Sequence, residues 1–352
     1  LLLKKVREGR AEIILEDNVF YNPRMKFCRD MDILIFSNLQ SRDYLDALSA
    51  TGIRGLRAKI ESDYEVIFND KNWKAYNLIK ENLKLNGIEA EVLRVDASSL
   101  MRQRFFGHVD IDPFGSPAEF IDSACLSAQR YLSITATDTA ALCGSAKISG
   151  LRKYSACAVK IDCYPEIGLR MLIGKIAREI TKYDKGVEVL ISWAKEHYYR
   201  VHLRIRKSVS FAGKLYRKIG YLFYCTECGR KKWSSMLDAE TGSCKCGAFT
   251  IMGPLWLGEL DNKQFTASLI KKADEEKFNL LQSILDELDT PFHYDIHLIS
   301  RIVRVSPPKI DRLSEIIREK GYSFSRTRFS GTSFKTDAEM EEIIDMLKSY
   351  PQ

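Results

Sequence analysis

The sequence predicts an α/β fold with a mostly parallel sheet covered on both faces, followed by a second, smaller α+β domain organised around cysteines. Three observations predict it. From Asp43 onward short apolar runs alternate with helical patterns, the order expected of parallel strands joined by crossover helices. The first four runs each end in an acid, Asp46, Asp70, Asp96 and Asp112. Downstream, the pairs CTEC (225–228) and CKC (244–246) interrupt a basic, aromatic stretch.

DYLDAL (43–48) is the first strand, and SATGIRG (49–55) after it carries Gly52 and Gly55, which permit close backbone approach. EVIFND (65–70) is the second strand. A helix over 73–86 follows, with Trp73, Tyr76, Ile79 and Leu83 at spacings of three and four as its inward, core-facing stripe, and Asn86-Gly87 as its stop. EVLRVDA (91–97) and HVDIDPF (108–114) are the third and fourth strands, and YLSITATDT (131–139) the fifth. In open sheets of this kind ligands bind beyond the carboxyl ends of the strands, so four acids on one rim favour a polar ligand.

DIDPFGSP (110–117) cannot continue a strand, because Pro113 donates no ladder hydrogen bond and Gly115 packs no side chain. It marks the place where a strand stops and a site begins. Asp110, two residues before Asp112 on the same strand, is expected on the same face but deeper, as structural support.

At 352 residues the chain has room for two cored domains, and its net charge of +7 permits a nucleic-acid partner without requiring one. Cys28, Cys125, Cys143, Cys157 and Cys163 are scattered through apolar surroundings, which points to a reducing cytoplasm rather than to disulfides. No apolar run reaches membrane-spanning length, and the opening LLLKK is too short for a targeting peptide.

The texture changes near His197. YYRVHLRIR (198–206) alternates Tyr199, Val201, Leu203 and Ile205 with Arg200, His202, Arg204 and Arg206, the pattern of a half-buried strand with a cationic face. Between Arg200 and Lys232 stand ten Lys or Arg and one acid, Glu227, interleaved with aromatics, a surface suited to tracking phosphates. Within it Cys225, Cys228, Cys244 and Cys246 match a closed structural zinc site of four thiolates, with the second pair shortened to CxC. From about Asp261 the chain reads as helical and charged, with Ile310, Leu313, Ile316 and Ile317 as an amphipathic stripe. The segment 323–336 reads as a polar basic loop, whose Arg326 and Arg328 are mobile cations or contacts to a nucleic-acid backbone.

Taken in order, VREGRAEI (6–13), VFYNPRMKFCRD (19–30), DALSATGIRGLR (46–57), DIDPFGSP, TATDTAALCG (135–144), HYYRV (197–201), the cysteine pairs and GPLWLG (253–258) resemble the tRNA (guanine-26, N2)-dimethyltransferases of archaea and eukaryotes. The resemblance spans nearly the whole chain. It implies a Rossmann-like S-adenosylmethionine-dependent methyltransferase domain over residues 1–210 and a zinc-containing, tRNA-binding C-terminal domain over 211–352. It also implies S-adenosylmethionine as methyl donor, structural zinc, and tRNA as partner of a monomer with no membrane contact.

In such an enzyme Asp70 is placed to accept hydrogen bonds from the cofactor ribose, with Asp46 on the same rim and Asp96 and Ala97 beside the adenine. Arg29 and Arg54 lie near the cofactor by similarity, with a structural ion pair or a tRNA contact as alternatives. The guanine amine is a poor nucleophile, since its lone pair is delocalised into the ring. DPF supplies what it lacks: the Asp112 carboxylate and Pro113 carbonyl accept its protons, and the Phe114 ring stacks on the base. Phe20 is the second wall of a pocket for a flipped base, or else an ordinary core residue. Arg200, Arg204, Arg206, Arg326 and Arg328 are the expected tRNA contacts. An enzyme acting on another exocyclic amine of RNA or DNA, or a non-catalytic RNA-binding protein, are the alternative functions.

Overall fold

The computed structural model describes residues 4–238 and 242–349. Its centre is a seven-stranded sheet formed by β3 (Asp43–Asp46), β4 (Glu65–Asn69), β5 (Glu91–Leu93), β6 (Phe106–Ile111), β7 (Ala128–Ala136), β8 (Lys185–Lys195) and β9 (Tyr198–Lys207), in the order β5-β4-β3-β6-β7-β9-β8. The first five strands run parallel, and β9 pairs antiparallel with both β7 and β8. A hairpin of β1 (Lys4–Glu8) and β2 (Ala11–Leu15) precedes the sheet.

Apolar residues cover both faces, as continuous apolar strands require. On one face Val109, Ile111, Leu132, Ile134, Val201 and Leu203 pack with the helices Ala118–Ser127 and Tyr164–Thr181. On the other, Tyr44, Val66, Phe68, Ile191 and Trp193 meet the helices Lys26–Phe36, Ile53–Ser62 and Trp73–Leu85.

The first core runs past residue 210. Leu215, Ile219, Leu222, Met252, Leu255 and Trp256 belong to it, carried largely by a second sheet of β10 (Ile219–Tyr224), β11 (Lys231–Ser235) and β12 (Thr250–Trp256). A separate apolar cluster around Ile299, Leu313, Ile317, Phe334 and Ile343 holds the last sheet, β13 (Tyr294–Asp295), β14 (Phe324–Thr327) and β15 (Ser330–Thr336), with its helices.

Three expectations are corrected. The stripe of the helix Trp73–Leu85 is centred on Ala75, Leu78, Ile79, Asn82 and Leu83; Trp73, in its first turn, is 58% exposed and stacks on Tyr76 under the Arg94 guanidinium. The segment 323–336 is mostly a hairpin, because Phe324 and Phe334 alternate inward and stack on each other. The first half of the cationic face of β9, Arg200 and His202, is interior, because the helix Lys26–Phe36 lies over it and turns Asp32 toward both.

Burial holds two imidazoles neutral: His108 is pushed down to about 3, and His202 well below its ordinary value. Glu287, which burial alone would raise, is brought down to about 2 by Arg328 and Lys335. All three shifts have the same sign, since the unfolded chain takes up protons before the folded one does. Their stability is complete above the unfolded values and declines as pH falls, for the histidines from about 6.5 downward and for Glu287 from about 4.5 toward 2. The thermal midpoint is therefore expected to fall below about pH 6.5 and more steeply below 4.5. His108→Gln should flatten the first limb by roughly 1.4 kcal/mol per pH unit, and an unaltered limb would show that His108 is protonated in the folded protein.

Candidate functional site

Adjacent strands β3 and β6 lead their connections to opposite sides of the sheet, and this reversal opens a crevice at their carboxyl ends. Into it project the loop after β3, the segment Asp112–Phe114 after β6, Thr137 after β7, His197 from the β8–β9 turn, and Phe20, Asn22 and Arg29 from the N-terminal part of the chain. Together they line a cleft with a cavity volume of about 150 Å³.

Two reciprocal bonds shape the DPFGSP turn. Gly115 N–H donates to Thr137 Oγ1 at 2.8 Å, and Thr137 N–H donates to the Gly115 carbonyl at 2.9 Å. Gly115 has φ 95°, a left-handed value that favours glycine. Phe114 is thereby left standing in solvent, 85% exposed, with Phe20 beside it at a ring-centroid distance of 5.4 Å. The sequence-predicted Asp112, Pro113, Phe114 and Phe20 thus meet at one mouth.

Beneath that mouth lies a buried chain of charges. Arg54 bonds both Asp112 and Asp32. Arg200 donates to Asp32 at 2.9 Å and holds Asp110 in a fork of 2.8 and 2.7 Å. Tyr44 OH completes the shell of Asp110 at 3.0 Å. Burial alone would raise Asp110, but Arg200 outweighs it and keeps the carboxyl at about 2. Asp46 has no such partner. Burial, then Asp110 and Asp112, push it well above the usual carboxylate range, and it accepts the Gly55 N–H at 3.1 Å.

The other predicted rim residues fall along the same edge. Asp70 accepts N–H bonds from Ala50 and Asn72, both at 2.9 Å, joining the β4 end to the loop after β3. Asp96 is exposed and caps the helix Ala97–Gln103 through Ser99 N–H; Ala97 is buried. Arg29 lines the cleft while gripping Glu8 through two bonds of 2.7 Å.

The tRNA-contact expectation needs correction at two positions. Arg200 is fully buried between Asp32 and Asp110, and Arg328 is buried against Asp261 and Glu287, so neither guanidinium can meet a phosphate. Arg204 and Arg206 are accessible and share Glu188. They lie toward the far edge of the sheet, since Arg204 pairs with Tyr131 near the start of β7 while Tyr199 pairs with Ala136 at its end. Arg326 is exposed and paired with Asp311. Sequence reasoning missed Asp32, Asn22, Thr137 and His197; their signal was their membership of, or adjacency to, the motifs VFYNPRMKFCRD, TATDTAALCG and HYYRV.

Cys225 and Cys228 flank the β10–β11 turn, and Cys244 and Cys246 precede β12. All four Sγ atoms lie within 4.8 Å of one another, close to the roughly 3.8 Å between thiolates around a tetrahedral zinc. Gly229 at φ 71° turns the first pair, and the backbone N–H groups of Arg230 and Cys246 point at Cys228 and Cys244 Sγ. The donor set fits zinc, with the CxC pair contributing both thiols.

Comparisons with known proteins agree with this architecture over its whole length. A family model described as N2,N2-dimethylguanosine tRNA methyltransferase matches residues 4–348. The tRNA (guanine(26)-N(2))-dimethyltransferase of Archaeoglobus fulgidus is 51% identical over 346 residues, covering 98% of this chain and 99% of that protein. Its counterpart from Methanospirillum hungatei is 40% identical over 340 residues, covering 94% and 92%. Among solved structures, the complex of Trm1 from Pyrococcus horikoshii with S-adenosyl-L-methionine superposes with a TM-score of 0.89 at 35% identity, over 98% of this chain and 100% of that one. The chain belongs to the N2,N2-dimethylguanosine tRNA methyltransferase family.

Proposed function

We propose that this chain transfers one or two methyl groups from S-adenosylmethionine to the exocyclic N2 of guanine 26 in tRNA, with the base flipped into the cleft at Phe114. The observation that carries it is the convergence of Asp112, the Pro113 carbonyl and two exposed phenyl rings at the same crevice as the glycine-bearing loop after β3. S-adenosylmethionine, when bound, supplies an electrophilic methyl on a cationic sulfonium. The rim residues would hold it: Asp70 would offer a carboxylate to the ribose and Asp96 and Ala97 would border the adenine, while Asp46, Arg29 and Arg54 line the deeper wall of the cleft.

Toward the base, the Asp112 carboxylate and Pro113 carbonyl accept the amine protons. This orients the N2 lone pair and removes a proton as positive charge develops there. Arg54, tied back to Asp32, fixes the Asp112 carboxylate. Phe114 and Phe20 hold the guanine faces. The division between a catalytic part, 1–210, and a zinc-containing tRNA-binding part, 211–352, belongs to the same proposal, as do Arg204, Arg206 and Arg326 as outlying phosphate contacts. A monomer in a reducing cytoplasm is likewise proposed; all nine cysteines are free, and among the described residues no helix is long and apolar enough to cross a membrane.

The direct test is incubation with labelled donor and unmodified tRNA followed by nucleoside analysis. N2-methylated guanosines are expected, and methylation of another base or of none would reject the assignment. Asp112→Asn keeps the shape but removes the charge, and should slow single-turnover transfer by about 10²–10⁴-fold with tRNA affinity nearly unchanged. Phe114→Ala should weaken capture of the base by about 1–3 kcal/mol. An Asp112→Asn enzyme of parental rate would place the catalytic centre elsewhere.

Native protein should contain about one zinc per chain, and Cys225→Ser should lower both zinc content and thermal stability, because metal binding and local folding are coupled. Zinc-free native protein of full stability would refute that assignment.

A further inference from the structure

Arg200 and Arg328 are buried and Arg204 and Arg206 lie toward the far edge of the sheet, yet one surface, on a helix tied to the loop after Phe114, has no role in the chemistry above. The short helix Lys147–Tyr154 presents Ile148, 66% exposed, and Leu151, 53% exposed, at i and i+3 on its outer side. Neither belongs to any of the three apolar clusters. Lys147 and Arg152 are exposed beside them, and from Thr139 through Ile161 the chain carries Lys147, Arg152, Lys153 and Lys160 with no Asp or Glu.

This helix is fixed from beneath. Tyr154, fully buried, shares its hydroxyl with Ser116 at 3.1 Å and with Asp138 at 2.7 Å. Ser116 is two residues beyond Phe114, so the helix and the base-binding ring are braced by the same loop. Arg178 donates to the Tyr154 carbonyl at 2.6 Å, holding the helix carboxyl end. Gly150 closes the approach to the chain below, since a Cβ there would stand 2.8 Å from the Ala141 carbonyl oxygen.

An apolar pair on a rigid, acid-free, cationic element suits a nucleic-acid partner. Its cations meet phosphates, and its aliphatic side chains fit the unstacked space left when a nucleotide leaves a helix. We propose that Ile148 and Leu151 form a wedge that enters the tRNA stack beside the extruded guanine, with Lys147 and Arg152 on the flanking phosphates. This rests on the tRNA methyltransferase reading and adds to it the element that keeps the base out of its stack.

The test uses the full-length protein and tRNA carrying 2-aminopurine at the target position, whose fluorescence rises on unstacking. Parent and Asp112→Asn proteins should both give the rise. The double variant Ile148→Ser with Leu151→Ser, its folding verified by an unchanged thermal midpoint, should lose most of it. With ordinary tRNA at saturation the variant should transfer at least about ten times more slowly, and a mismatch that loosens the target guanine should restore much of the rate, because extrusion then costs less. Lys147→Gln with Arg152→Gln should instead weaken affinity and reduce the salt slope by roughly two units. A serine variant with parental fluorescence and rate overturns the wedge while leaving the enzyme assignment intact. A parent protein that methylates no tRNA overturns both.

Discussion

The site depends on one buried interaction, the Arg200 guanidinium held between Asp32 and Asp110. It ties the helix Lys26–Phe36 to β6 and β9, and through Asp32 and Arg54 it reaches Asp112 at the surface. Removing one partner of such a group leaves an unpaired charge in the interior, at a cost of about 3–5 kcal/mol, so these elements hold one relative position. The chain joins three carboxylates, Asp32, Asp110 and Asp112, to two guanidiniums, Arg54 and Arg200. These five groups together carry one net negative charge, and Asp112 is the member that lines the cleft, a polarity that would suit the proposed cationic donor.

A second set of buried charges fixes the last part of the chain to the sheet. Arg328 spans Asp261, Glu287 and the Ser192 carbonyl, while Lys335 joins Glu287 at 2.7 Å. Glu166 accepts the Phe292 and His293 N–H groups and lies 2.9 Å from His293 Nδ1. The sheet beside the four cysteines shares the apolar core that covers one face of the seven-stranded sheet. The later residues are therefore built on the same core as the cleft.

The strand ends were legible because they are local: apolar runs, acids and a Pro-Gly turn sit within a few residues of one another, and β3, β4 and β6 end within one residue of Asp46, Asp70 and Asp112. The cysteine cluster was legible for the same reason. Arg200 was not, since alternation tells which residues share a face of β9 but not what covers that face; its partner Asp32 comes from 168 residues earlier. Trp73 misled because three- and four-residue spacing names a stripe without fixing its centre, and the first turn of a helix can turn that stripe outward. The 324–336 hairpin was hidden by polar residues whose charges, Arg328 and Lys335, are spent internally.

Phe20 and Phe114 touch edge to face at 5.4 Å. A purine sandwiched between two rings requires about 7 Å, twice the ~3.4 Å stacking distance of bases, so in this conformation the slot is shut. Opening it gives up an aromatic contact of about 0.5–1.5 kcal/mol, which a guanine delivered by a whole tRNA can repay but a free nucleoside, without the remote contacts, repays poorly. If this ring pair receives the base as proposed, the same contact would act as a turnstile, discouraging loose guanine from occupying the cleft and diverting methyl groups.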